Sequence, residues 1–129
     1  MERIKILLVD DEEDFRMLIA VQIKEWGYDL VEVAGGQEAL EVIKLQKPDI
    51  VILDYLMPEM DGIATLKEIR IIQPQLPVIM FTVHSDEKPL KEAVKLKVMA
   101  FIPKLSIYSD AHVSLKSAID MIARQLPAR

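Results

Sequence analysis

The chain has no cysteine, only two histidines and no long apolar run among its 129 residues. The lack of cysteine excludes disulfides, thiol nucleophiles and the usual structural zinc sites, and two histidines far apart argue against a histidine-based metal centre. No apolar stretch reaches the roughly 20 residues that span a bilayer, and the amino terminus lacks the apolar core of a signal peptide. We therefore expect a cytoplasmic protein with no membrane partner, in which any metal is a hard cation held by oxygen.

The composition is that of a globular domain, with 51% hydrophobic and 29% charged residues. The length fits one domain over residues 1–129 and is sufficient to bury a core. The formal net charge of −5 argues against direct nucleic-acid binding, because such binding rests on neutralising phosphates.

Short β-branched runs alternate with longer segments of helical period, which indicates an α/β domain. Strands are predicted near residues 4–9, 29–33, 49–54, 77–82 and 99–103. Apolar stripes predict the helices: Phe15, Leu18, Ile19, Ile23 and Trp26; Ala39, Leu40 and Ile43; Ile63, Leu66 and Ile69; Leu90, Ala93 and Val94; Leu115, Ala118, Ile119 and Ile122. Strand–helix units of this kind form right-handed crossovers and an open sheet, with ligands bound beyond the carboxyl ends of the strands.

Acidic residues close two of the predicted strands. Asp10 and Asp11 follow the first strand, and Asp54 closes the third. If these strands are parallel neighbours, the three carboxylates meet at one edge of the sheet, where they repel strongly unless hydrogen bonds or a cation offset their charge. Thr82 ends the fourth strand and Lys104 follows the fifth. The sequence therefore predicts a site at this edge.

These residue types together indicate phosphoryl chemistry. A carboxylate such as Asp54 attacks a phosphoryl group only if a divalent cation neutralises the acidic cluster and the phosphate oxygens. Asp10 and Asp11 would hold that ion, and Mg²⁺ suits a site of carboxylates, waters and phosphate oxygens. Lys104 would offset charge on the phosphoryl group, and Thr82 would donate a hydrogen bond to it.

The ordered set of motifs resembles the receiver domains of two-component response regulators, including single-domain chemotaxis regulators, over nearly the whole chain. The motifs are Leu8-Val9-Asp10-Asp11-Glu12, Asp54 followed by Met57-Pro58 and Asp61-Gly62, then Thr82 and Lys104. The resemblance implies a flavodoxin-like, doubly wound sheet of five parallel strands in the order 2-1-3-4-5, with five helices on two faces. We interpret Asp61 and Gly62 as structural, an N-cap and a tight-turn residue that start the third helix.

The resemblance further implies that Asp54 accepts a phosphoryl group from a histidine kinase or phosphotransfer protein. The implied Mg²⁺ ligands are Asp10, Asp11, Asp54 and the backbone carbonyl of Leu56. Thr82 and Phe101 would shift together and remodel the face made by the fourth helix, fifth strand and fifth helix. Such a protein is a phosphorylation-dependent signalling switch and not an enzyme with turnover on external substrates.

The sequence departs from the family pattern near the site. Leu105 follows Lys104 where many members have proline, so we do not expect the cis bond usual there, since a non-proline cis peptide costs about 2.5 to 4 kcal/mol. Phe101 stands where tyrosine is frequent and offers no hydroxyl to a partner. The resemblance implies that Leu56 and His84 stand at the positions that flank the route of the attacking water in this family. Apolar Leu56 favours slow hydrolysis of the phosphoryl group, whereas a water could be oriented by His84.

Alternatives remain open from the sequence alone. Asp10 or Asp11 could cap the first helix, and the run of Lys88, Lys91, Lys95 and Lys97 is either a solvated face or a surface for an acidic partner or a symmetric dimer. Two other functions compete with the switch: a receiver-like docking module that is not phosphorylated, and a haloacid-dehalogenase-like phosphatase. The phosphatase family usually carries an acid/base aspartate two residues after its nucleophile, a role that Leu56 cannot fill.

Overall fold

The computed structural model describes residues 3–83, 86–104 and 110–127, with only the backbone described for 110–112. The strands in this part of the chain are β1 (Lys5–Val9), β2 (Asp29–Val33), β3 (Ile50–Leu53), β4 (Val78–Thr82) and β5 (Ala100–Pro103). The helices are α1 (Glu13–Glu25), α2 (Gly36–Gln46), α3 (Gly62–Ile72), α4 (Glu87–Lys95) and α5 (Asp110–Gln125). None of the helices, over the residues described, has the length and apolarity that crossing a bilayer requires.

All five strands are parallel, and their order in the sheet is β2-β1-β3-β4-β5. The chain runs from β1 to one neighbour, β2, and then crosses to the other, β3, so the strand order reverses between β1 and β3. This topology confirms the predicted flavodoxin-like, doubly wound fold. In such sheets the crevice for a ligand opens beyond the carboxyl ends of the strands at the point of reversal.

The hydrophobic core lies on both faces of the sheet because alternate residues of a strand point to opposite sides. Ile6 and Leu8 of β1 pack with the residues of α1 and α5. Leu7 and Val9 pack on the other face with residues of α2, α3 and α4. The central strands are thus covered on both sides, which explains why the sequence of β1, β3 and β4 is apolar without polar alternation.

The buried stripes of two helices are narrower than the sequence pattern predicts. In α1, Ile19 and Ile23 are fully buried, but Leu18 is 42% exposed. In α4, Ala93 is buried whereas Val94 is 63% exposed. Each of these exposed residues is next in sequence to a buried one and is turned roughly 100° away from it around the helix axis. A helix lying on one face of a sheet buries only the strip that faces the sheet.

Candidate functional site

The backbone hydrogen bonds of the sheet continue one residue past the strands and fix the three charged site residues. The amide of Asp10 donates to the carbonyl of Val33 at 3.2 Å, and that of Asp54 donates to the carbonyl of Val9 at 3.0 Å. The amide of Lys104 donates to the carbonyl of Thr82 at 2.8 Å. Because these backbones are held by neighbouring strands, their side chains project from one edge of the sheet.

At this edge the ammonium group of Lys104 contacts two carboxylates. Its Nζ lies 2.6 Å from Oδ2 of Asp10 and 3.2 Å from Oδ2 of Asp54. The three side chains are only 3%, 3% and 6% exposed, respectively. Charges removed from water at this depth are tolerated only when they are paired and hydrogen-bonded. The structure therefore brings together three of the predicted site residues and places the ammonium group of Lys104 between the two carboxylates.

The remaining polar atoms of the two carboxylates are also hydrogen-bonded. Oδ1 of Asp10 accepts from the amide of Glu12 at 2.9 Å, and Oδ1 of Asp54 accepts from the amide of Tyr55 at 2.8 Å. The guanidinium of Arg16 donates to the backbone carbonyl of Asp10 at 2.7 Å. The N-cap of α1 is Glu12, which makes no side-chain cap. A capping role alone therefore does not account for Asp10, whose other oxygen binds the lysine.

Burial raises the pKa of the Asp10 carboxyl above its ordinary value of 3.8, and the nearby charge of Asp54 acts in the same direction. The hydrogen bond and the positive charge of Lys104 oppose this effect without cancelling it. The buried carboxyl of Asp10 thus carries its negative charge at a cost in free energy, which a neighbouring positive charge reduces.

Three carboxylates could hold a metal ion together. Oxygens of Asp10, Glu12 and Asp54 lie within 4.8 Å of one another. Glu12 is exposed, whereas the two aspartates are buried. Asp11 is partly buried and is not one of the three. The sequence predicts Asp11 as a metal ligand and gives no reason to choose Glu12, because a run of successive acidic residues does not show which carboxylates lie close together.

The other predicted site residues lie around this cluster at different depths. Thr82 ends β4 and is completely buried. Phe101 in β5 is partly buried and packs against the core on the α2, α3 and α4 side. Leu56 is 51% exposed two residues after Asp54. The predictions about His84 and about the peptide bond before Leu105 lie outside the described residues.

The loop between Asp54 and α3 confirms the structural interpretation of Asp61 and Gly62. Oδ1 of Asp61 accepts from the amide of Ala64 at 2.8 Å and caps α3. The amide of Gly62 donates to the carbonyl of Tyr55 at 2.7 Å. The helix therefore starts directly against the backbone that carries Asp54.

The fold and this edge define a class of protein: a doubly wound α/β domain with a buried lysine and acidic residues at the carboxyl ends of its strands. Residues 6–115 match the model of the response regulator receiver domain. The chain belongs to this family of two-component signalling modules, which confirms the resemblance seen in the sequence.

Named relatives support the assignment. The chain is similar to the transcriptional regulatory protein ZraR of Escherichia coli (strain K12), with 34% identity over 118 residues, which are 92% of this chain and 27% of that protein. It therefore spans about a quarter of the length of this relative. Sporulation initiation phosphotransferase F of Bacillus subtilis (strain 168) is 33% identical over 100 residues, which are 78% of this chain and 81% of that protein.

Solved structures show the same fold. A two-component response regulator of the LuxR family from Aurantimonas sp. SI85-9A1 superimposes with a TM-score of 0.85 and 27% identity, covering 99% of this chain and 90% of that one. The chemotaxis protein CheY4 of Vibrio cholerae gives a TM-score of 0.83 at 24% identity, covering 94% of this chain and 99% of that one. The second comparison bears on the fold alone.

Proposed function

We propose that the protein is a phosphorylation-dependent signalling switch of the cytoplasm, in which Asp54 accepts a phosphoryl group from a histidine kinase or a phosphotransfer protein. The observation that carries this proposal is the buried contact of the Lys104 ammonium with both Asp10 and Asp54. A lysine that already touches the acceptor carboxylate is positioned to offset the charge that the phosphoryl oxygens bring.

The acidic residues fit Mg²⁺, which is bound through a few carboxylate oxygens with waters and phosphate oxygens as its other ligands. We propose Asp10, Asp11, Asp54 and the backbone carbonyl of Leu56 as the protein ligands, with Glu12 as the competing acid that the geometry introduces. When bound, the ion supplies charge neutralisation for the acids and for the incoming phosphate oxygens.

The residues of the chain have distinct roles in the transfer. A carboxylate oxygen of Asp54 forms the new bond to phosphorus, while the P–N bond of the donor histidine breaks and its electron pair stays on the imidazole. Lys104 changes partner from the carboxylate to a phosphoryl oxygen, and the hydroxyl of Thr82 donates to another. Asp54 is buried, which restricts water at the acceptor and strengthens these interactions.

Incubation with acetyl phosphate and Mg²⁺, followed by intact mass measurement, tests the proposal. The wild-type chain should gain the mass of one phosphoryl group, and Asp54→Asn should gain none. Asp49→Asn is a matched control, because Asp49 precedes β3 at the amino-terminal end of the strands, away from the site. There its carboxylate accepts from the amide of Lys5 at 2.8 Å. A wild-type protein that stays unmodified would favour the docking module, and turnover of many phosphoesters would favour the phosphatase.

The metal ligands are tested separately by Mg²⁺ titration of Asp11→Asn and Glu12→Gln. We expect Asp11→Asn to weaken Mg²⁺ binding at least tenfold and Glu12→Gln to weaken it about threefold or less, because the Glu12 side chain is exposed and must be ordered to bind. The reverse ranking would assign Glu12 as the ligand in place of Asp11.

The output is proposed to be a change of the face formed by α4, β5 and α5, reported by Thr82 and Phe101 and read by a partner protein or a second copy of the chain. Lys88, Lys91 and Lys95 are exposed along α4 at spacings of three and four residues. Their positive charge is partly met within the helix, since Nζ of Lys91 lies 2.9 Å from Glu87. Such exposed pairs contribute little stability, so the lysines stay available to an acidic partner.

Charge reversal tests this surface. Lys91→Glu with Lys95→Glu should abolish association of the phosphorylated protein with itself or with its partner, measured by sedimentation. Lys44→Glu with Lys67→Glu, two exposed lysines on α2 and α3, is the control for net charge. If both double variants associate like the wild type, this face is only a solvated surface.

A further inference from the structure

The ammonium group of Lys104 lies against aromatic rings as well as beside two carboxylates. Its Nζ is 4.2 Å from the centroid of the Phe15 ring and 5.8 Å from that of Phe81. The two rings are 5.8 Å apart and tilted by 45° to each other. With only 3% of the lysine side chain exposed, the rings stand where an exposed ammonium would have water.

Packing holds the nearer ring in place. Phe15 lies in the first turn of α1, the helix that begins immediately after Asp10 and Glu12. Its partly buried side chain packs against the core formed with α1 and α5 on that face of the sheet. The core therefore fixes the position of the Phe15 ring. Lys104, which is distant in sequence, follows the end of β5 and places its ammonium group against this ring.

A ring in this position acts on the ammonium in a way that an aliphatic side chain cannot. The face of an aromatic ring attracts a cation within about 6 Å, and the attraction grows when water is excluded. It also differs from the pull of the two carboxylates, because it does not change when Asp54 changes its charge or gains a phosphoryl group. The ring thus keeps a binding position for the ammonium while its acidic partners exchange.

We propose that Phe15 is a positioning residue for phosphoryl transfer, whose ring holds the Lys104 ammonium at the edge where the phosphoryl group arrives. The inference rests on the proposed phosphorylation of Asp54. It assigns no chemistry to Phe15 itself, which acts only through Lys104.

Phosphorylation by acetyl phosphate at saturating Mg²⁺ tests this role in a set of variants. Phe15→Leu fills a similar space without an aromatic face and should lower the maximal rate roughly 3- to 10-fold, with little change in the donor concentration for half-maximal rate. Phe15→Tyr keeps the ring and should stay within about twofold of wild type. Trp26→Leu removes an aromatic ring that packs against the same core at the far end of α1 and should leave the rate unchanged.

A double-mutant cycle separates positioning from a general effect on the fold. In a Lys104→Met background the loss caused by Phe15→Leu should disappear, because no ammonium remains for the ring to hold. An equal loss in both backgrounds, or no loss in either, would overturn the inference.

The contact also has a signature that does not depend on phosphorylation. The ε-methylene protons of Lys104, observed by ¹³C-edited NMR, should be shifted upfield by the Phe15 ring and should lose that shift in Phe15→Leu but not in Trp26→Leu. Unchanged resonances in Phe15→Leu, with normal phosphorylation of the wild type, would overturn this inference alone. A wild type that is never phosphorylated would overturn the proposed function and this inference with it, even with the ring shift present.

Discussion

A β-carbon on Gly62 would lie 2.2 Å from the backbone carbonyl oxygen of Asp54. It would also lie 2.8 Å from the Cα of Tyr55. Only a residue without a side chain allows α3 to begin this close to the strand end that carries the proposed phosphoacceptor. The position of Asp54 and the start of α3 are therefore coupled, because a side chain at position 62 would displace one or the other.

Gly62→Ala should destabilise the protein by about 2 kcal/mol or more and slow phosphorylation, because the obstructing atoms belong to the backbone and cannot turn aside. Urea unfolding measures the loss of stability. The control is Gly35→Ser, where the nearest atom to a new β-carbon is Oε1 of the flexible Glu38 side chain at 3.1 Å and the backbone is extended. That variant should change stability by less than about 0.5 kcal/mol, and equal effects at both glycines would refute the coupling.

Arg70 of α3 fastens the end of α4 to the body of the domain. Its guanidinium donates to the carbonyls of Leu96 and Leu76, each at 2.7 Å, and to that of Lys97 at 3.1 Å. These carbonyls belong to the end of α4 and to the loop before β4, so one planar group serves two segments. Lysine cannot reproduce this fork of donors.

We predict that Arg70→Met costs about 1.5 to 3 kcal/mol of unfolding free energy, since carbonyls bonded to a charged donor are left without it. Arg70→Lys should recover less than half of that loss. Arg3→Met provides the comparison, because its ion pair with Asp29 joins side chains that are 63% and 50% exposed and should contribute little. Urea titrations in which Arg3→Met costs as much as Arg70→Met would show that the hydrogen bonds of Arg70 contribute no more stability than an exposed ion pair.

Much of the fold can be predicted from the sequence because the local residue pattern is enough to indicate most of the strands and helices. The apolar runs of β1, β3 and β4 are buried on both faces, and strand-end residues such as Asp10 and Asp54 meet once the strands are parallel neighbours. The order of the strands came from the motifs of the family, not from periodicity.

The details of the site depend on contacts between distant segments, which the sequence does not express. The apolar stripe of α1 correctly predicts that Phe15 packs inward, yet no spacing relates it to Lys104, which lies far along the chain. Glu12 is likewise drawn into the acidic cluster by the turn that Asp10 makes with its amide. Side-chain rotamers and turn geometry, rather than residue pattern, decide these two cases.

The raised pKa of Asp10 predicts how stability varies with pH in the absence of metal. Burial is the main cause, so the folded protein holds this proton more tightly than the unfolded chain, whose value is near 3.8. The contribution of Asp10 to stability is therefore fully present below that pH and is lost as pH rises through the folded pKa. Relative to wild type, Asp10→Asn should become progressively more stable across this window in urea titrations with EDTA.

Asp120 is the control of opposite sign. Burial acts to raise its pKa, but hydrogen bonds from Lys116 and Tyr28 outweigh that effect and lower it. The contribution of Asp120 to stability should be present above pH 3.8, the ordinary pKa of an aspartate, and should be lost as the pH falls through the pKa of the folded state. Parallel pH profiles for Asp10→Asn and Asp120→Asn would contradict both assignments.

Addition of Mg²⁺ at ten times its Kd should stabilise the wild type by about 1.4 kcal/mol, a gain that EDTA reverses.

The lifetime of the phosphorylated protein should depend on Leu56. This side chain is 51% exposed and stands two residues after Asp54, where an apolar group has no atom to orient an attacking water. We expect the phosphoryl group to last for seconds or longer. Leu56→Asn should shorten its half-life roughly 3- to 10-fold, less than the 10²-fold or more that a general base supplies.

The half-life is measured by intact mass after the phosphodonor is removed. Leu45→Asn is the matched control, because Leu45 is 83% exposed and the change adds the same amide on α2, away from the loop between β3 and α3 that carries Leu56. Loss of the phosphoryl group in the wild type within less than a second would show that another group, with His84 as the first candidate, orients the water. In that event His84→Ala should lengthen the half-life, and Leu56→Asn should add little, because the water would already be held.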